Sequence, residues 1–170
     1  MDEAEFAARA RLLLVDDLED NLVLLERILA RAGYRALTRT TDPTQVVDMV
    51  RAGEPDIILL DLHMPAMNGF EVMDALGAVI PADGFVPILV LTADISSEAK
   101  QQALACGAKD FLHKPFDPVE VVLRVRNLLQ TRRLYLELKA QNAVLEERVR
   151  ERTRELEAAK AEILRLVTRW

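Results

Sequence analysis

The segment "IILLDLHMPAMNG", residues 57–69, decides the fold. Four consecutive apolar residues end directly at Asp61, and His63 follows two residues later. A short, uninterrupted apolar run is typical of a strand that is buried on both faces, as in the parallel sheets of α/β proteins. A carboxylate at the end of such a strand is costly to desolvate unless something pairs with it. The segment therefore predicts a central strand whose last residue, Asp61, belongs to a site.

The same alternation of apolar runs and amphipathic segments continues over the first 130 residues. It predicts strands over residues 12–15, 34–38, 57–60, 87–92 and 110–113. It also predicts helices that start at Asp42-Pro43, at Ser96 or Ser97 and at Asp117-Pro118, with helix ends at Gly33, Gly53 and Gly107. Five repeated strand–helix units indicate an α/β fold in which helices cover both faces of a five-stranded parallel sheet.

Composition limits the class of protein. The chain has 170 residues, of which 51% are hydrophobic and 29% are charged, as in folded globular proteins. Its apolar runs are too short to cross a bilayer, and the acidic start "MDEAEF" has no apolar core for a secretory signal. We therefore expect a cytoplasmic protein with no membrane insertion. The single cysteine, Cys106, excludes an internal disulfide, and we expect it to be a small packed side chain.

Polar side chains follow four of the predicted strands. Asp16 and Asp17 end the first strand, Asp61 the third, Thr92 the fourth and Lys114 the fifth. The carboxyl ends of parallel strands meet at one edge of a sheet, where ligands bind. Three neighbouring carboxylates need a cation, and Mg²⁺ is the natural one, with Mn²⁺ as another possibility. With the lysine and the hydroxyl, this set could hold a phosphoryl group on a carboxylate nucleophile, for which Asp61 is the candidate.

Several residues of this set, and His63 beside it, also have another interpretation. Asp16 and Asp17 could cap the following helix, Thr92 could be an ordinary strand residue and Lys114 could be solvated. His63 could pair with the nearby aspartate on a transition metal, although no second histidine or cysteine lies near in the pattern.

A phosphohydrolase with an aspartate nucleophile is the alternative enzyme. Haloacid-dehalogenase enzymes carry Asp-x-Asp on their first strand. Here the acidic pair on the first strand is adjacent, and "DLH" follows the third strand. This arrangement disfavours that enzyme class.

Four segments resemble the receiver domain of two-component response regulators: "LLLVDDLEDN", "DIILLDLHMPAMNGFEV", "ILVLTAD" and "GAKDFLHKPF". The resemblance spans roughly residues 10–130 and implies a flavodoxin-like (βα)5 fold. It implies that Asp61 accepts a phosphoryl group from a sensor histidine kinase or a phosphotransfer protein. We expect an N-terminal extension over residues 1–10, a receiver domain over 11–130 and a coiled-coil linker helix over 131–170.

The resemblance also implies a role for each residue of the acidic site. Asp17 and Asp61 would bind Mg²⁺ directly, together with the backbone carbonyl of His63, whereas Asp16 would act mainly through a bound water. Lys114 would pair with the phosphoryl group. We expect Asp61 to be exposed at the strand tip, where the metal and the lysine can offset its charge.

Other residues are implied to form the switch and the pocket mouth. Thr92 would be the switch hydroxyl, and Phe111 takes the position of the switch aromatic residue. Because Phe111 has no hydroxyl, its switch would rely on packing alone. The side chains of His63 and Asp94 would lie at the pocket mouth, where they would tune the lifetime of the phosphate. The bond before Pro115 would be cis.

The segment after Pro118 contains neither glycine nor proline and predicts one long helix. Its residues 135–170 fit a heptad repeat. The a positions are Tyr135, Asn142, Val149, Leu156, Ile163 and Trp170, and the d positions are Leu138, Leu145, Arg152, Ala159 and Leu166. An asparagine at one a position favours a parallel, in-register dimer, in which Glu155 would face Lys160 of the second copy. We expect a homodimer through residues 130–170; the alternative is a helix that folds back on its own receiver.

Charge distinguishes this helix from the rest of the chain. Residues 1–130 contain 12 Lys and Arg against 21 Asp and Glu, whereas residues 131–170 contain 10 against 7. Glutamate and arginine alternate in the helix with few aromatic residues, which is typical of a solvated coiled coil, so we expect no direct nucleic-acid binding.

The stretch "QNAVLEERVRERTRELEAAKAEIL", residues 141–164, is similar to linkers that precede HD-GYP-type cyclic-di-GMP phosphodiesterase domains. Similar linkers precede diguanylate cyclase and histidine kinase domains. Because the heptads stop abruptly at "EILRLVTRW", we expect an output domain beyond Trp170.

Overall fold

The computed structural model of the chain describes residues 3–93 and 96–169. The strands are β1 (Arg11–Val15), β2 (Ala36–Thr40), β3 (Ile57–Asp61), β4 (Ile88–Thr92) and β5 (Asp110–His113). The helices are α1 (Glu3–Arg9), α2 (Glu19–Arg31), α3 (Val46–Gly53, after a 3-10 turn over Pro43–Gln45), α4 (Gly69–Gly77), α5 (Ser97–Ala105) and α6 (Pro118–Val167). The chain forms two compact units, residues 1–132 and residues 133–170.

The five strands of the first unit form one parallel sheet in the order β2-β1-β3-β4-β5. This is the flavodoxin-like order, so the predicted fold class is confirmed. The middle strand, β3, is buried along its whole length. Within it, Leu60 lies opposite Val15 on one side and Val90 on the other. Burial on both faces explains why residues 57–60 of β3 are all apolar.

Two apolar cores cover the two faces of the sheet. The first core joins Leu14, Leu59 and neighbouring strand residues to α2 and the start of α6. The second core joins Leu13, Leu60 and their neighbours to α3, α4 and α5. Because side chains alternate along a strand, consecutive residues enter different cores.

The end of α2 explains why β2 starts later than predicted. Gly33 adopts a left-handed φ of 100°, and the N–H of Tyr34 reaches back to the carbonyl of Leu29 at 3.2 Å. This helix-closing motif buries Tyr34 in the first core. Tyr34 therefore belongs to the end of the helix, and the predicted bounds of 34–38 for the second strand are wrong.

The same motif at the end of α5 determines the environment of Cys106. Gly107 has a φ of 103°, and the N–H of Ala108 donates to the carbonyl of Ala103 at 3.0 Å. The two alanines are buried, whereas Cys106 is exposed at the helix end. The prediction that Cys106 packs in the interior is therefore wrong.

A short helix, α1, precedes the first strand within the predicted N-terminal extension. Phe6 and Ala7 pack against the first core, and the N–H of Ala10 donates to the carbonyl of Phe6 at 2.9 Å. The extension thus contributes apolar contacts to the sheet unit.

The second unit comprises the C-terminal part of α6. Ion pairs three or four residues apart run along it, such as Arg152–Glu155 at 2.8 Å and Arg165–Glu162 at 2.9 Å. Several a and d side chains are large, apolar and 53–70% exposed, and we call this row the seam: Leu138, Leu145, Val149, Leu156, Ile163 and Leu166. Trp170, predicted at the last a position, lies outside the described residues. Over the described parts of the chain, no helix has the length and apolar character that a membrane span needs.

Candidate functional site

The predicted polar residues lie together at the carboxyl edge of the sheet. Asp16 and Asp17 follow β1, Asp61 and Thr92 are the last residues of β3 and β4, and Lys114 follows β5. The backbone N–H of Lys114 donates to the carbonyl of Thr92 at 2.9 Å. The strand ends thus bring all five residues to one edge.

A lysine bridges two of the carboxylates. Lys114 Nζ lies 2.7 Å from Asp16 Oδ2 and 3.1 Å from Asp61 Oδ1. Each of these three residues follows, by two positions, a strand leucine of the first core. Because side chains two residues apart in a strand share a face, the three charged groups extend from the same side of the sheet.

The acceptor candidate Asp61 is buried, with only 2% of its surface exposed. It lies between β1 and β4, and the loop after it buries Leu62 and Met64 as well. The expectation that Asp61 is exposed at a strand tip is therefore wrong. Its charge is compensated within the site, by Lys114 and by the N–H of His63, which donates to Asp61 Oδ1 at 3.3 Å.

Burial makes the charged form of Asp61 less favourable. Desolvation raises the pKa of the Asp61 carboxyl above its ordinary value, and the nearby charge of Asp16 raises that pKa further. The positive charge of Lys114 acts in the opposite direction without overcoming the desolvation. The site therefore favours an additional cation close to Asp61.

Asp16 is completely buried and is held by four hydrogen-bond contacts. Its Oδ1 accepts from the N–H of Leu18 and from Asn21 Nδ2, both at 3.0 Å, and its Oδ2 accepts from Asn21 Nδ2 at 3.1 Å and from Lys114 Nζ. The N-cap residue of α2 is Leu18, so neither Asp16 nor Asp17 is the cap residue; Asp16 contacts the start of the helix through the N–H of Leu18. Asn21 was not among the predicted site residues. The one sequence signal for it is its place in the first turn of the helix that follows the acidic pair.

The three aspartates can hold a metal ion. Asp16, Asp17 and Asp61 each offer a carboxylate oxygen, and these oxygens lie within 4.8 Å of one another. Hard divalent cations, Mg²⁺ above all, prefer such oxygen donors. The donor set therefore fits the predicted ion.

The predicted switch residues lie on the opposite face of the sheet. Thr92 is 3% exposed and follows Val90 of the second core by two residues, and Phe111 pairs with Val90 across β4 and β5. The half-buried ring of Phe111 packs against that core and also lies close to two cations, Lys100 at 4.6 Å and Arg124 at 5.8 Å from the ring centroid. Packing is therefore not the only contact of this ring.

Three further predictions concern His63, Asp94 and the peptide bond before Pro115. The side chain of His63 is exposed, and the Lys114–Pro115 peptide bond is cis. Asp94, predicted at the pocket mouth, lies outside the described residues. The roles assigned to His63 and Asp94 remain predictions.

Known proteins resemble this chain over most of its length. Residues 12–126 match the model of the response regulator receiver domain family. The response regulator PleD of Caulobacter vibrioides is 40% identical over 134 residues, which cover 79% of this chain and 29% of PleD. The transcriptional regulatory protein PrrA of Mycobacterium bovis is 39% identical over 122 residues, which cover 72% of this chain and 51% of PrrA. The chain thus spans less than two thirds of the length of these relatives.

A solved structure agrees with the sequence comparisons. The chemotaxis protein CheY4 of Vibrio cholerae superposes with a TM-score of 0.61 at 33% identity, covering 71% of this chain and 98% of CheY4. The family match extends over the same strands whose ends carry the acidic site. The chain therefore belongs to the response regulator receiver domain family.

Proposed function

We propose that the chain is a phosphoacceptor that takes a phosphoryl group on Asp61 from the phosphohistidine of a sensor histidine kinase or a phosphotransfer protein. The observation that carries this proposal is the position of Asp61, a buried carboxylate 3.1 Å from Lys114 within a cluster of oxygen donors. Membership of the receiver family supports the same class of phosphodonor.

In the proposed transfer, a carboxylate oxygen of Asp61 attacks phosphorus. An O–P bond forms while the P–N bond of phosphohistidine breaks, and the imidazole nitrogen leaves with the electron pair. Such transfers depend mainly on positioning and on charge neutralisation. Lys114 supplies a fixed positive charge beside Asp61, and the buried strand β3 fixes the attacking group.

Mg²⁺ is the cofactor that we propose for this site. Asp17, Asp61 and the backbone carbonyl of His63 would hold the ion, which supplies neutralisation of the phosphoryl oxygens. Asp16 would act indirectly, and the four hydrogen-bond contacts already made to its carboxylate support that assignment.

The response to phosphorylation is proposed to involve Thr92, Lys114 and Phe111. The new phosphoryl oxygens attract the Thr92 hydroxyl and the Lys114 ammonium group, and the ring of Phe111 repacks together with the face formed by α5. For a useful switch, phosphorylation must favour the responding arrangement by a few kcal/mol.

We further propose that the seam pairs with a second copy of the chain in a parallel coiled coil through residues 130–170. The large exposed seam residues support this, because isolated helices rarely keep an apolar row in water. Asn142 at an a position favours the in-register arrangement. A monomer in sedimentation equilibrium at a few tens of micromolar would overturn this part of the proposal.

We also propose that this helix connects the receiver domain to an output domain that acts on cyclic-di-GMP. This proposal is motivated by the resemblance, seen in the sequence alone, of residues 141–164 to linkers before HD-GYP-type domains. Assays of the full-length gene product for cyclic-di-GMP hydrolysis and synthesis would test it. Hydrolysis supports a phosphodiesterase, synthesis supports a diguanylate cyclase, and the absence of both discards the link.

Incubation with acetyl phosphate and Mg²⁺ tests the acceptor. We expect a single phosphorylated species on a phosphate-affinity gel for the wild type, and none for Asp61→Asn. Equal phosphorylation of the variant would discard Asp61 as the acceptor. Slow, self-limited phosphate release supports the regulatory phosphoacceptor, whereas sustained fast turnover of excess phosphodonor would support a phosphohydrolase instead.

A further inference from the structure

The aromatic ring of Phe111 lies close to cations from two different helices. Lys100 Nζ of α5 is 4.6 Å from the ring centroid, and Arg124 Cζ of α6 is 5.8 Å from it. Both distances fall within the range of about 6 Å in which a cation is attracted to the face of a ring. The ring on β5 thus contacts cations of both α5 and α6, in addition to its packing against the second core.

The two cations differ in how firmly they are held. Arg124 Nη1 donates to both carboxylate oxygens of Asp110 at 2.7 Å, and Arg124 Nε donates to Glu120 at 2.8 Å. These hydrogen bonds raise the pKa of Arg124 and fix its guanidinium group beside the ring. Lys100 is closer to the ring and reaches it from a flexible stem, so its contact can be made or lost with little change elsewhere.

The register of β4 and β5 also relates Phe111 to the proposed switch residue Thr92. Phe111 is paired with Val90, and Thr92 lies two residues further along the same strand. Val90 and Thr92 of β4 point to the same face of the sheet, and Phe111 of β5 lies beside Val90 on that face. Phe111 and Thr92 are therefore on the same face of neighbouring strands. A displacement of Thr92 towards Asp61 therefore opens or closes space beside the ring.

We propose that Lys100 and Arg124 are positioning residues that hold Phe111 in the described position and oppose its repacking when Asp61 is phosphorylated. This inference rests on the proposed function, in which the ring of Phe111 repacks when Asp61 is phosphorylated. The strength of the two cation–ring contacts determines how much free energy phosphorylation must supply to move the ring. Loss of the Lys100 contact makes the response easier.

Beryllofluoride, which mimics a phosphoryl group on aspartate, measures this effect in the full chain. With Mg²⁺ present, we expect Lys100→Met to bind beryllofluoride about two- to fivefold more tightly than the wild type in calorimetric titrations, the range that the loss of one partly exposed cation–ring contact predicts. Methionine keeps the length of the stem without the charge. Lys100→Arg restores the cation and should bind like the wild type.

A matched control is available in the same domain. Lys109 Nζ lies 5.5 Å from the centroid of Phe85, so Lys109→Met removes a similar contact from a ring other than Phe111. We expect no change in beryllofluoride affinity for this variant. An equal effect of Lys109→Met and Lys100→Met would overturn the inference, as would an effect of Lys100→Met that persists in a Phe111→Leu background.

A second measurement separates the inference from the proposed function. Urea unfolding of Lys100→Met, Phe111→Leu and the double variant, without Mg²⁺ or phosphodonor, gives the coupling between the two side chains. Additive effects would overturn the ring contact even if the wild type binds beryllofluoride normally. A wild type that does not bind beryllofluoride would overturn the acceptor function, and with it the role of the ring in switching, whatever the coupling.

Discussion

Gly69 packs so closely against Asp61 that a Cβ atom at position 69 would lie 2.6 Å from the carbonyl oxygen of Asp61. The same Cβ atom would lie 2.9 Å from Leu62 Cα. In addition, the N–H of Gly69 donates to the carbonyl of Leu62 at 3.0 Å. The first residue of α4 is thus fixed against the backbone that carries the proposed acceptor.

Gly69→Ala should therefore damage the site. The new methyl group meets backbone atoms, which cannot rotate away, so the chain around Asp61 has to shift. We expect a loss of about 1–3 kcal/mol in the free energy of unfolding, together with slower phosphorylation by acetyl phosphate. Gly77→Ala, at the other end of α4, adds a methyl group to open space and should be neutral or stabilising. Equal effects of the two substitutions in urea unfolding would contradict the close approach.

Asp61→Asn should stabilise the fold at neutral pH in the absence of divalent ions. Because the pKa of Asp61 is raised in the folded chain, the folded state holds more protons than the unfolded state between the ordinary and the raised pKa. Stability therefore falls as pH rises through that window, and the penalty is complete above it. We expect a Tm higher by several degrees, the shift that about 1 kcal/mol produces in a domain of this size. The gain should disappear as the pH falls below the ordinary pKa of aspartate.

Asp42→Asn is a control for this pH series, because its effect on stability should have the opposite sign. Hydrogen bonds from the side chain and backbone of Thr44 lower the pKa of the Asp42 carboxyl. Its contribution to stability is present above the ordinary pKa and is lost as the pH falls through the lowered one. This variant should lose stability at neutral pH. A common sign for the two variants in thermal melts would refute the assignment.

Asn21→Ala should weaken Mg²⁺ binding. The substitution removes both contacts from Asn21 Nδ2 to the buried carboxylate of Asp16, which is then less well oriented. Outer contacts of this kind change metal affinity by about tenfold or more. Calorimetric titration with Mg²⁺ measures the loss, and Asn127→Ala, at an exposed position of α6, is the control. Unchanged affinity would show that Asp16 is oriented without Asn21.

Two adjacent substitutions test the seam. Leu145 and Val144 are 56% and 55% exposed, but only Leu145 occupies a d position. Leu145→Asp places a charge in the proposed dimer interface and should give a monomer in sedimentation equilibrium, whereas Val144→Asp should remain a dimer. Because the two residues are equally exposed in the single chain, an equal response of both variants would argue against the seam.

Most of the sheet could be predicted from local patterns. The apolar run before Asp61 marks β3 because a strand buried on both faces is built almost entirely of apolar residues. The second strand was misplaced because Tyr34 is apolar but belongs to the end of α2, a contact that strand periodicity does not encode. Helix α1 was missed because it is too short for its apolar pair, Phe6 and Ala7, to form a periodic pattern.

The candidate site, like the sheet, could be predicted only in part from local patterns. The order of polar residues after the strands places Asp61, Thr92 and Lys114 at one edge, because parallel strands share their carboxyl edge. The burial of Asp61 depends on the neighbouring strands and on the loop that folds back over it, which no local pattern contains. The contact of Asn21 with Asp16 and that of Lys100 with Phe111 join residues of separate elements. Such contacts form only when the elements come together in the folded chain.

The central place of β3 has a consequence for local unfolding. Amide protons in a strand that is paired on both sides and buried on both faces exchange only when the whole sheet opens, so those of Leu59 and Leu60 should exchange last. Phe111 lies on the edge strand β5, which is paired on one side and can open at a lower free energy. Hydrogen exchange should therefore find Asp61 on the slowest-opening segment and Phe111 on a faster one, so the edge strand can open locally while the proposed acceptor stays in place.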